Sequence, residues 1–208
     1  RKAGVQLHSV TETLEDSASG KLVEGILASI DEFYSANLGQ ETLLVSSCTQ
    51  ALEMSALLLG LQPGDEVIVP SFTFVSTANA FVLHGARIVF ADVDETGNID
   101  PAEVTRLLSA RTKVVVAVHY AGNSCDMRKL LVACGDVALV EDAAQALGSR
   151  FDGKALGTFG CCAAFSFHET KNVGCGEGGA LTIRDSRLSE RAAILRDKGT
   201  NRRRFEAG

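Results

Sequence analysis

From residue 64 onward, short unbroken apolar runs alternate with stretches in which apolar residues recur every three or four positions. That is the pattern of a largely parallel sheet covered by helices. The runs 66–70 (EVIVP), 87–93 (RIVFADV), 113–120 (KVVVAVHY) and 137–142 (VALVED) are continuous rather than alternating, which predicts strands buried on both faces. CCAAFSF and GALTIR add two more. Three helices announce their ends. Asp100 caps one that opens at Pro101 and carries Glu103 in third position, with Val104, Leu107 and Leu108 as its buried stripe. The second begins at Asp126, sets Met127, Leu130, Leu131 and Cys134 on one face, and stops at Gly135. The third starts near Asp185, turns Leu188, Ala192 and Leu195 inward, and ends by Gly199. No repeat or low-complexity linker interrupts the series, so residues 1–208 are expected to form one α/β domain, a three-layer sandwich around a mostly parallel central sheet.

Composition narrows the function classes. A chain of 208 residues with 46% hydrophobic content can bury a substantial core. Its net charge of -6 gives no overall attraction to nucleic acid or anionic lipid. The late arginines in LRDKGTNRRRF read either as a local anion site or as a solvated helix end. No apolar run approaches the roughly 20 residues that span a bilayer, and no signal-type apolar segment opens the chain, so a cytoplasmic location is expected. The six cysteines lack C-x-x-C spacing and the four histidines lie far apart, so neither a disulfide framework nor a metal site is encoded locally.

In open α/β sheets ligands sit beyond the carboxyl ends of the strands. There the chain carries HYAG after one strand, EDAAQ after another, Ser166 and His168 after a third, and Lys171 in the following loop. Gly174, Gly176 and Gly179 satisfy G-x-G-x-x-G, but a strand-like run, 179–183, follows them where a dinucleotide site needs a helix. The lysine is therefore the more informative residue. It lies among small and apolar residues, where partial desolvation would leave some amine neutral and able to condense with an aldehyde. Asp142 emerges from a buried strand, where a carboxylate either caps a helix or awaits a cationic partner. Its neighbour Glu141 faces the other side of the strand, which argues against a paired-carboxylate mechanism. At SSCTQALEMSALLLG, small polar residues precede a helix, either as ordinary caps or as an anion site with the hydroxyls of Ser47 and Thr49 adding donors. Phe72 and Phe74 follow the EVIVP strand as core residues or, if exposed, as a surface for a flat ring. One cofactor needs an amine, a carboxylate, an anion nest and a flat side chain together, and that is pyridoxal phosphate.

These residues resemble the DegT/DnrJ/EryC1 sugar aminotransferases of the fold-type I pyridoxal-phosphate enzymes. QPGDEVIVPSFTFVSTANAFVLHGARIVFADVD, KVVVAVHYAG, VEDAAQALGSRFDGKALGTFG, FSFHETKN and GEGGAL are similar to that family's blocks, in its order, between about Ser19 and Asn201. Within the family, SFHETKN and RDKGTNR are most similar to transaminases that make dTDP-4-amino-4,6-dideoxygalactose. The resemblance implies that Lys171 is joined to the cofactor aldehyde and, once freed, moves the proton between substrate carbon and cofactor. It implies that Asp142 keeps the pyridine nitrogen protonated and that Gln145 approaches the ring hydroxyl. Ser166 and the amides of Cys48 and Thr49 would bind the phosphate, and Phe74 would stack on the ring. The implied reaction is amino transfer from glutamate to a nucleotide-linked 4-keto-6-deoxy sugar in cell-surface polysaccharide or antigen biosynthesis, by a homodimer. The related sugar 3-dehydratases carry a histidine in place of this lysine, so Lys171 favours transamination.

Two features depart from the family. A Gly-Asp-Gly turn usually follows the SGKL segment, where this chain has Ser19-Gly20-Lys21-Leu22 and then Val23-Glu24-Gly25. Relatives also continue into a smaller C-terminal domain beyond the position of Gly208, so the chain is expected to be a large cofactor domain without that partner. The alternatives are a non-catalytic domain of this fold and an aminotransferase for a different keto-sugar nucleotide.

Overall fold

A computed structural model describes residues 41–201. The Ser19–Gly25 segment and Arg202, Arg203 and Arg204 of the arginine cluster lie outside that range. Among the described residues nine strands and five α-helices follow one another: β1 (Glu41–Val45), α1 (Cys48–Leu58), β2 (Glu66–Pro70), α2 (Val75–Val82), β3 (Arg87–Ala91), α3 (Pro101–Leu107), β4 (Thr112–Val118), α4 (Met127–Cys134), β5 (Ala138–Asp142), β6 (Arg150–Phe151), β7 (Lys154–Ala155), β8 (Cys162–Ser166), β9 (Gly179–Ile183) and α5 (Ser189–Arg196). Seven strands form one sheet in the order β1-β9-β8-β5-β4-β2-β3, and β6 with β7 makes a separate small hairpin. The pairs β2–β3, β2–β4, β4–β5 and β5–β8 are parallel, whereas β9 runs antiparallel to both of its neighbours.

The period of two along each strand divides the core into two layers. Ile68, Val115, Ala117, Leu139 and Phe165 pack with Val104 of α3 and with Met127 and Leu130 of α4. Their strand neighbours Val67, Val69, Val114, Val116 and Val140 pack on the other face with Leu52 of α1, Phe81 of α2 and Ala192 of α5. Both faces of the central strands are thus covered, as their unbroken apolar sequences require. The expected three-layer α/β architecture is the one observed.

Some local expectations needed correction. RIVFADV does form a strand, but β3 lies at the sheet edge and leaves Phe90 60% exposed, because an edge strand lacks a neighbour on one side. Leu131 points outward from α4, whose buried residues are Met127, Leu130 and Cys134: the inward stripe follows the i, i+3, i+7 positions and Leu131 falls beside it. The third helix opens with one 3₁₀ turn, Ser186–Leu188, capped by Asp185, before α5 begins. The capping aspartates behave as their positions suggest. Asp100 accepts from Ala102 N at 2.8 Å and Asp126 from Lys129 N at 3.0 Å.

Candidate active site

The carboxyl ends of β1, β2, β4, β5 and β8 lie along one edge of the sheet, and the reversed β9 begins there. Val45 and Ser166, the last residues of their strands, both pair with Gly179. Three residues beyond Val45 the chain enters α1. Ser47 is extended at φ -164°, and its Oγ accepts from Gln50 N at 3.1 Å. Gln50 Oε1 in turn accepts from Ser46 N at 2.7 Å, a variant of the capping box. Ser47 thereby satisfies the amide of the helix's third residue, and those of Cys48 and Thr49 remain for an incoming anion at the positive end of the helix dipole. The Thr49 hydroxyl donates to Ser76 Oγ at 2.9 Å, so the hydroxyl left to donate is that of Ser76, which sequence reasoning missed. Gly179 must be glycine here. A Cβ on it would fall 2.6 Å from Cys48 N and 2.7 Å from Ser47 O, inside the helix start itself.

Asp142 ends β5 on the same edge and is 5% exposed. No helix follows it, so it is not a helix cap. Its Oδ2 accepts from Thr77 Oγ1 at 2.8 Å and its Oδ1 from Ala144 N at 3.1 Å, with Cys48 Sγ 4.0 Å from Oδ1. Thr77 is buried in the first turn of α2, a helix that no end signal in the sequence announced. Burial pushes the Asp142 carboxyl above its ordinary range, against the lowering effect of these bonds. Its hydrogen-bond donors are neutral, and such a group gains from a cationic ligand. Cys48 is likewise pushed up, first by burial and then by the Asp142 charge, so its thiol stays protonated and inert.

Lys171 sits in the connection 167–178 between β8 and β9. Backbone bonds from Phe167 N to Gly178 O (2.9 Å), Glu169 N to Gly176 O (3.0 Å) and Cys175 N to Phe167 O (2.8 Å) tie the connection to itself. The glycines that mimic a dinucleotide fingerprint serve this turn: Gly176 has φ +92°, and a strand, not a helix, follows Gly179. Ser166 is 8% exposed at the end of β8, and its Oγ accepts from His168 N at 3.4 Å. Gln145 Oε1 accepts from Ala121 N at 2.6 Å, which leaves the Nε2 protons as the group it can offer a ligand. Phe72 and Phe74 are not core residues; they are 49% and 73% exposed.

The sequence placed Glu141 correctly on the opposite side of β5 but gave no sign of what meets it there. This carboxylate is fully buried. Its Oε1 accepts from Phe159 N and Gly160 N, both at 2.7 Å, and its Oε2 accepts from Gly157 N at 2.7 Å and from His119 Nε2 at 3.0 Å. His119 Nδ1 accepts from Cys125 N at 3.3 Å, so the ring carries its proton on Nε2 and donates it to Glu141. Although burial alone would raise the Glu141 carboxyl, the His119 bond and the backbone donors carry it below its usual range. The loop can wrap the carboxylate because Gly157, at φ +86°, has no side chain to collide with the Phe165 ring. Glu141 and His119 thus lock the ends of β4 and β5 together beneath Asp142, and His119 N also donates to Asp142 O at 3.1 Å.

One cleft of about 560 Å³ gathers the residues chosen from sequence. Asp142, Gln145, Ser166 and Lys171 line it from the strand ends, and Cys48, Thr49 and Phe74 from the helix starts opposite. A buried carboxylate, an amine lining the same cleft, two open helix amides and an exposed ring fit pyridoxal phosphate in charge and in hydrogen-bonding capacity. Among the described residues no helix is long and apolar enough to cross a membrane.

Comparison with known proteins agrees. The model of the DegT/DnrJ/EryC1/StrS aminotransferase family matches residues 7–207. Spore coat polysaccharide biosynthesis protein SpsC of Bacillus subtilis is 42% identical over 195 residues, covering 91% of this chain and 49% of its own length. GDP-perosamine synthase of Caulobacter vibrioides is 40% identical over 154 residues, covering 73% of this chain and 42% of its own. The chain thus spans about half the length of these relatives. The crystal structure of the aminotransferase TlmJ from Streptoalloteichus hindustanus superposes with a TM-score of 0.77 at 39% identity, over 86% of this chain and 54% of that one. Family and fold converge on one conclusion: the chain belongs to the DegT/DnrJ/EryC1/StrS aminotransferases, a pyridoxal-phosphate-dependent family of sugar and polysaccharide biosynthesis.

Proposed function

We propose that this chain is the single cofactor-binding domain of a sugar aminotransferase that moves an amino group from glutamate to the keto carbon of a nucleotide-linked 4-keto-6-deoxy sugar. The observation that carries this reading is the presence in one cleft of both the buried Asp142 carboxylate and Lys171. Pyridoxal phosphate, when bound, supplies an aldehyde that condenses with amines and a ring that accepts the electrons of a deprotonated carbon. Asp142 holds a proton on the ring nitrogen, which relieves its own buried charge. Lys171 would hold the aldehyde through its amine and, when free, would carry a proton at Nζ to and from the substrate carbon. The Cys48 and Thr49 amides and the Ser166 hydroxyl hold the phosphate. Gln145 would donate from Nε2 to the ring hydroxyl, and the exposed Phe74 would offer its ring as a stacking surface.

The names of the relatives support the substrate class, since GDP-perosamine is an amino sugar on a nucleotide and SpsC serves a polysaccharide. A second copy of the chain completes the cleft in the assembly we propose. The test is spectroscopic. Full-length protein mixed with pyridoxal phosphate gains a visible absorption band that glutamate bleaches and a keto-sugar nucleotide restores. Lys171→Ala forms no such band, and a band that survived the substitution would refute the assignment of Lys171. A wild-type band that glutamate leaves unchanged would reduce the chain to a cofactor-binding domain without turnover.

A further inference from the structure

The cleft contains an aromatic corner that none of the roles above uses. Phe72 lies two residues beyond β2 and Tyr120 two beyond β4; both line the cleft, with ring centroids 4.6 Å apart and planes tilted by 45°. They remain 49% and 36% exposed, so both rings present apolar surface to the cleft. The backbone holds it rigidly. Asn98, itself 1% exposed, accepts from Tyr120 N at 3.0 Å and donates to Asn123 O at 3.3 Å, clamping both ends of the turn. Between them Ala121 adopts φ 53°, ψ 23°, a left-handed conformation unfavourable for an L side chain, and its amide is tied to Gln145. Gly97 brings its backbone close to both rings: a Cβ there would lie 3.7 Å from Phe72 and 3.9 Å from Tyr120. Strain held in place beside a cleft, with apolar rings kept open to it, is preorganisation for an apolar part of a ligand.

The sugar proposed above has one apolar edge, the deoxygenated carbon with its methyl group, and an aromatic corner open to the cleft suits that edge. Resting on the transaminase reading above, we propose that Phe72 and Tyr120 form the subsite for the deoxygenated, methyl-bearing edge of the sugar and select it over a hydroxymethyl edge. A hydroxyl pressed against these rings loses water and gains no partner from Phe72.

Calorimetry on the full-length, cofactor-loaded protein tests this with two probes: a nucleotide-linked 6-deoxyhexose and the same nucleotide carrying the 6-hydroxylated hexose. The expected preference for the deoxy probe is about 10-fold to 100-fold, the range for one small group in an apolar pocket. Phe72→Ser and Tyr120→Ser abolish the preference, while Phe72→Leu retains it. Bleaching of the visible band by glutamate proceeds alike in all three variants. Absence of a preference in wild type, or a preference untouched by both serine variants, overturns the proposal, as does equal weakening of the two probes. If glutamate fails to bleach the wild-type band, the transaminase reading falls separately, because sugar binding is read without turnover.

Discussion

Glutamine in place of Glu141 keeps the side chain's shape and removes one acceptor oxygen, and the consequences can be worked out bond by bond. Four donors converge on the two oxygens, two on each. If the new amide replaces Oε2, its protons face Gly157 N–H and His119 Nε2–H. His119 cannot escape by moving its proton, because Nδ1 would then confront Cys125 N–H. If it replaces Oε1, it faces Phe159 and Gly160 N–H instead. Either way two buried donors lose their acceptor, at about 1–3 kcal/mol each, so Glu141→Gln is expected to cost about 4 kcal/mol. That is a large part of the roughly 5–15 kcal/mol that holds a domain together, and for a chain of this length it lowers Tm by about 8–16 °C. Urea unfolding of apo protein measures it, with the midpoint lowered and the slope unchanged. Dependence on pH supplies a second arm. The folded-state carboxyl of Glu141 lies below its ordinary 4.5, so its contribution is complete above that value and is lost as pH falls through the folded value. The variant lacks this component of acid destabilisation. A loss under 1 kcal/mol, with the acid limb unchanged from wild type, would show that the four bonds do not hold this edge of the sheet.

Two further substitutions test the cofactor site from opposite directions. Asp142→Asn removes a buried charge while an amide can still accept from Ala144 N and donate to Thr77. The folded-state carboxyl is raised, so in wild type stability falls as pH climbs from its ordinary 3.8 through that raised value. At neutral pH the apo variant is therefore expected to be more stable than wild type, while its affinity for pyridoxal phosphate drops at least about 10-fold. Thermal melts with and without cofactor read both, and a variant that loses apo stability yet binds normally contradicts the role given to Asp142. Gly179→Ala forces a methyl group into the start of α1, and overpacking of this kind costs about 1–3 kcal/mol. Because the displaced atoms belong to the proposed phosphate site, inorganic phosphate should compete less effectively with cofactor in the variant, and unchanged competition argues against that site.

How much of this could be read from sequence depended on whether the determinants were local. Continuous apolar runs marked β2, β4, β5, β8 and β9 because burial on both faces leaves that trace in a short segment. Asp100 and Asp126 marked helix starts because a cap is bonded two or three residues away. α2 escaped because its first residue follows Phe74, which offers no capping side chain, and β1 because only Leu43, Leu44 and Val45 of its five residues are apolar. The chosen site residues came together because their positions at strand ends follow from topology. What meets Glu141 was illegible for the opposite reason: three of its four donors are backbone amides 16–19 residues away, and an amide has no letter in the sequence. The exposure of Phe72 and Phe74 was equally hidden, since the same letters serve core and surface.

The reversal of β9 has a consequence for how this site can change over time. A parallel continuation after β8 would have required a crossover beneath the sheet. By turning back instead, the polypeptide keeps 167–178 wholly at the ligand edge, anchored at both termini by neighbouring strands. Such a segment can exchange its reactive letter or its length as a replaceable cassette, leaving the surrounding architecture intact, and new chemistries can arise there without the fold being reinvented.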